Sequence, residues 1–131
     1  MPVTYCIDEA LGIVSIQAMG EITDEELLSS FLVAFADAKF QPHYRCFSDF
    51  SHANTSKLSA ACMAEIARIN PFAASSRRAV LIRDLETFGL TRMVSHWNEV
   101  YNKAAPRIFT ESESTLAYLN EGLSPAMHLK L

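Results

Sequence analysis

Positive charge is scarce in this sequence of 131 residues: eleven Lys and Arg stand against fifteen Asp and Glu, for a formal net charge of −4. That balance argues against the electrostatic footprint of a nucleic-acid or anionic-membrane binder. Cysteine is sparse as well. Cys6, Cys46 and Cys62 are an odd number, each set in an apolar stretch, and no apolar leader with a cleavage site opens the chain, so a disulfide framework and secretion are both disfavoured. A reduced cytoplasm is the expected compartment. Apolar runs fall well short of the roughly 18 residues that span a bilayer, so no integral membrane association is expected. His43, His52, His96 and His128 show no H-x-x-x-H spacing and the cysteines no C-x-x-C spacing. No metal site and no cofactor is expected.

What is present is apolar residue in abundance, 50% of the chain, which at this length suffices for one hydrophobic core without a staple. Val3 to Ile7 alternate, Leu11 to Ile16 are again apolar, and Asp8 to Gly12 between them is turn material, which together read as a hairpin. Thr23-Asp24-Glu25-Glu26 is a capping box. It opens a helix with Leu27, Leu28, Phe31, Leu32 and Phe35 at helical spacing, ending before Gln41-Pro42. Tyr44 to Phe50 reads as a strand, Ser51 to Ser56 as a polar loop, and Leu58 to Ile69 as the buried face of a second helix stopped by Asn70-Pro71. The run 78–83 is a mid-sheet strand.

A third, amphipathic helix is expected over 86–102, with Leu90, Met93, Val94, Trp97, Val100 and Tyr101 at helical spacing as its core side. Pro106 to Phe109 is a short strand, and Thr110-Glu111-Ser112-Glu113 repeats the capping-box pattern before a last helix stopped by Gly122 and Pro125. The order ββαβαβαβα predicts a single α/β domain over 1–131, with a mixed, mostly parallel sheet of about five strands and about four helices. Its core spans about 3–122, and the tail 126–131 is expected to be loosely held.

Thr23-Asp24-Glu25-Glu26-Leu27, the strand ending in Asp49-Phe50, Arg77-Arg78-Ala79-Val80 and Phe88-Gly89-Leu90-Thr91-Arg92-Met93, in that order and spacing, resemble the uncharacterised bacterial SpoIIAA-like (STAS/SEC14-like) proteins. The resemblance implies a fold and no established reaction. Anti-sigma-factor antagonists of this fold carry a phosphorylated serine in an Asp-Ser-Ser-Gly-like turn. The corresponding stretch here, Asn54-Thr55-Ser56-Lys57-Leu58-Ser59, keeps hydroxyls near a helix start without that motif.

In an open α/β sheet, ligands and partners meet the carboxyl ends of the strands. That edge is expected to gather Asp49, Ser51, His52, Asn54, Thr55 and Ser56 from one loop with Arg83, Asp84, Phe88 and Arg92 from another. The plainer reading is that the hydroxyls and Asn54 cap a helix and the aspartates satisfy turn amides. Cys46, Asp49 and His52 suggest a nucleophile, orienter and base, but on a strand Cys46 and Asp49 face opposite ways, which makes Cys46 a buried, inert thiol. Arg77, Arg78 and Arg83 read as charges that solvate strand ends, with attraction of an anion as the alternative.

No catalytic set emerges. The leading expectation is therefore a non-enzymatic regulatory or protein-interaction module that docks an unidentified protein partner or a second copy of itself, with Ser56 or Thr55 as phosphorylation candidates. The alternative is a small-molecule or lipid-binding domain. It would hold an apolar or anionic ligand under the third helix, its polar head near Arg83 or Arg92.

Overall fold

The computed structural model describes residues 2–130. Five strands, β1 (Val3–Asp8), β2 (Ile13–Glu21), β3 (Arg45–Asn54), β4 (Arg78–Leu81) and β5 (Arg107–Phe109), lie side by side in chain order. β1 and β2 form the expected antiparallel hairpin, whose turn is closed by Gly12 at φ +63°, a left-handed conformation that glycine adopts without a Cβ clash. The other three pairings are parallel. Parallel strands added in one direction through right-handed crossovers put their connecting helices on one face. Accordingly α1 (Asp24–Ala36), α2 (Ala60–Ile69) and α3 (Leu85–Val100) share a core with Val14, Ile16 and Cys46 of the sheet. α4 (Ser112–Asn120) covers the opposite face, where Leu119 packs on Ile13, Phe47, Ala79 and Leu81.

Helix α1 starts as its sequence dictates: the Thr23 hydroxyl accepts the Glu26 N–H at 3.3 Å, and the Glu26 carboxylate accepts the Thr23 N–H at 3.0 Å. The second capping box does not form, because Glu111 is the N-cap of α4 and makes no side-chain cap bond. Two further expectations are corrected. β3 runs on through Asn54 instead of ending at Phe50, since Met19, Gly20 and Glu21 of β2 extend past a bulge and pair with His52, Ala53 and Asn54. Helix α2 consequently begins later, with Ser59 as its N-cap.

The described part of the C-terminal tail, 126–130, is tied down where a loose end was expected, and Leu131 lies outside the described residues. Asn120 pairs with the backbone of Leu129 through both ends of its side-chain amide, Nδ2 donating to the carbonyl and Oδ1 accepting the N–H, and Leu129 packs on the α4 side of the sheet. The guanidinium of Arg45 closes the same corner, donating to the carbonyls of Leu11, Leu119 and Met127 and to Asn120 Oδ1. Among the described residues no helix is long and apolar enough to cross a membrane.

Candidate functional site

Between the sheet and the three-helix layer lies a cavity of about 100 Å³. Its floor is Ile16, Cys46, Ser48 and Val80, and its walls include Phe31 from α1, Met63 from α2, and Leu90, Thr91 and Val94 from α3. The lining is overwhelmingly apolar because alternate residues of β2, β3 and β4 point to this face, and each helix turns its buried stripe inward. α3 packs chiefly on α2 rather than directly on the sheet, which leaves the space beneath it. Half-buried lining residues such as Phe50, Leu58, Ile66 and Leu90 mean that the cavity is only partly closed from solvent.

The stripe of α3 that faces the core is Thr87, Thr91, Val94 and Asn98. The expected stripe was partly misplaced: Val94 belongs to it, but Met93, Val100 and Tyr101 are exposed and Leu90 and Trp97 are only half-buried. Most polar groups in the cavity wall are matched to one another. Thr55 and Thr87 share a buried hydrogen bond of 2.9 Å, Thr91 Oγ1 donates to the Thr87 carbonyl at 2.8 Å, and Asn98 Oδ1 accepts from Asn70 Nδ2 at 2.8 Å.

Arg78 is the exception. The register sets it opposite Cys46, on the helix side of the sheet, where it is 6% exposed. Its Nη2 donates to the Ala104 carbonyl at 2.5 Å and its guanidinium carbon lies 5.2 Å from the Phe72 ring centroid. Its Nε has no hydrogen-bond partner among the described residues, and no ion pair among them involves it. Burial pushes its pKa down from the ordinary guanidinium value. A guanidinium is hard to deprotonate even so, and a cation out of water is stable only when it is paired or hydrogen-bonded.

The expected surface residues do not come together on one loop. Asp49, Ser51 and Asn54 lie within β3, Asp49 on the other face of the sheet beside Phe47, where a wider groove of about 280 Å³ runs along β1 and β2. Asp49 Oδ1 accepts both the N–H and the hydroxyl of Ser51. Asn54 Oδ1 accepts the Ser56 N–H. Thr55 is 2% exposed and so is not a surface group, whereas Ser56 is exposed. Asp84 caps α3 by accepting the Thr87 N–H.

Arg83 and Arg92 are exposed and neither lines the cavity; Arg92 lies over the Phe88 ring, 5.8 Å from its centroid. The cation at the cavity is Arg78 instead. Cys46 faces the helices and its thiol is pushed up to about 11 by burial, which leaves it unreactive, and His52 is exposed, so these two and Asp49 do not converge.

In the sequence Arg78 reads, with Arg77 and Arg83, as a charge that solvates a strand end, with attraction of an anion as the alternative; its burial corrects the first reading. One signal was available: β4 alternates, so Arg78 must share a face with Val80, and the helices cover that face.

No protein-family model and no curated protein matches this sequence. In structure it is similar to an uncharacterised protein of the DUF3478 family with a SpoIIAA-like fold from Shewanella loihica PV-4. The TM-score is 0.55 at 16% identity, over 89% of this chain and 91% of that one. The likeness establishes the SpoIIAA-like fold, with the five-stranded mixed sheet and four helices expected from the sequence.

Proposed function

We propose that the chain is a non-enzymatic binding domain that takes up a small apolar molecule between α3 and the sheet. The observation that carries this reading is the partly open apolar cavity under α3, walled by three helices and holding one buried cation. Concave, mostly apolar sites with a few convergent polar groups are where proteins hold small ligands. The volume bounds the ligand: about 100 Å³ is below the roughly 300–1,000 Å³ of drug-sized sites. It is nearer the roughly 150 Å³ of a cavity that takes up benzene. A full-length lipid does not fit that space.

Methyl-resolved NMR of the folded chain, titrated with small aromatic and short-chain compounds both neutral and acidic, tests the reading. Shifts at the methyls of Met63, Leu90 and Val94 are expected. A compound set that leaves all three unmoved sinks it.

A second reading is a regulatory module that docks a protein, in its simplest form a second copy of the chain. It is favoured by Leu85, which is 87% exposed at the start of α3 with exposed Phe88 one turn on. Light scattering should then show a dimer that Leu85→Asp disperses; a monomer at every concentration removes the dimer form of this reading.

A further inference from the structure

Resting on the cavity as a ligand site, the chemistry of its wall narrows the ligand further. Hydroxyls and amides in the wall are already bonded within the fold: Thr55 to Thr87, Thr91 to the Thr87 carbonyl, Asn98 to Asn70 and to the Val94 carbonyl. Ser48 has only a long contact of 3.8 Å to the Cys46 sulfur. Among the described residues the fully buried donor without a partner is Arg78 Nε, on a side chain that is 6% exposed and has no carboxylate among them paired with it. Buried charges are stable when paired, and an unsatisfied buried donor calls for an explanation.

We propose that the cavity binds a small monocarboxylate, an aromatic or short-chain acid. Its apolar body lies against Phe31, Met63, Leu90 and Val94, and one carboxylate oxygen accepts from Arg78 Nε. A single cation in the wall, with one fully buried N–H left unbonded, matches one negative charge. Phosphate fits worse, because it brings more charge into a mostly apolar wall whose lining holds one cation, Arg78. A neutral molecule of the same shape fills the space but leaves the guanidinium unpaired. The carboxylate also explains the placement of Arg78, since guanidinium and carboxylate form a charge-assisted hydrogen bond that strengthens away from water.

Calorimetric titration at neutral pH with benzoate and with benzyl alcohol separates the two levels of this account. Benzoate should bind the wild-type chain at least roughly tenfold more tightly, the share expected of a hydrogen bond to a buried charge. Arg78→Met should erase the preference while still admitting benzyl alcohol. Arg78→Lys, which keeps the charge but lacks Nε, should weaken benzoate binding as well.

Equal affinity of the two compounds, with cavity methyls shifting for both, overturns the carboxylate and leaves the cavity as a ligand site. Competition by inorganic phosphate at concentrations comparable to benzoate also overturns it, in favour of a phosphate-selective site. Failure of both compounds to bind removes the carboxylate and the ligand cavity together. The wild-type comparison decides the question even if a variant does not fold.

Discussion

Two buried arginines in this chain solve the same problem differently. Arg45 is 8% exposed, and its two terminal nitrogens donate to four oxygens from the hairpin turn, α4 and the C-terminal tail. Replacing it by methionine leaves several carbonyls without a donor and should destabilise the fold by on the order of 3 kcal/mol. Arg78 has one backbone acceptor, the Ala104 carbonyl, and that oxygen also accepts from Asn70 Nδ2. Removing Arg78 therefore strands no acceptor and relieves an unpaired buried charge, so Arg78→Met should change stability by no more than about 1 kcal/mol. Urea denaturation of both variants checks the contrast. Losses of similar size would make Arg78 a structural residue and weaken the case for its role in binding.

At the scale of elements, the N-termini of α1 and α2 are stitched together. Asp24, in the first turn of α1, accepts the backbone N–H of Ser59 at 2.9 Å and its hydroxyl at 2.6 Å, while Ser59 Oγ accepts the Cys62 N–H to cap α2. The Ser59 hydroxyl is the main reason that the Asp24 carboxyl titrates below its ordinary 3.8. A carboxyl whose folded-state pKa is depressed contributes stability above its unfolded value and loses it as pH falls through the folded one. Ser59→Ala should thus cost about 1–2 kcal/mol at neutral pH, cap and carboxylate contact together. The gap in melting temperature from wild type should narrow in strong acid, leaving only the cap's share. A gap independent of pH would contradict the role given to Asp24.

Elements were legible in the sequence where a local rule governs them. The capping box at Thr23 and the stop at Asn70-Pro71 need only neighbours in the chain, and both stand as read. The extension of β3 to Asn54 and the late start of α2 were not legible, because they follow from pairing with β2 across the sheet. The same limit hid the cavity. Apolar spacing found Leu27, Phe31 and Val94 on the inward faces but put Leu32, Met93 and Tyr101 there too, and it did not tell how closely α3 approaches the strands. It gave Arg78 no address until the register placed it against Cys46.

For the whole molecule, the order of strands explains why a site lies where it does. A sheet built in one direction leaves α1, α2 and α3 on one face, and these three helices wall the cavity while α4 and the tail cover part of the other face. The central claim is that this partly open space is a ligand site read by Arg78. A crystal structure of the chain soaked with benzoate tests it most directly. The account predicts one benzoate between α3 and the sheet, its carboxylate within hydrogen-bond reach of Arg78 Nε. A cavity closed by side chains in the crystal, or benzoate bound only on the outer surface, would contradict it.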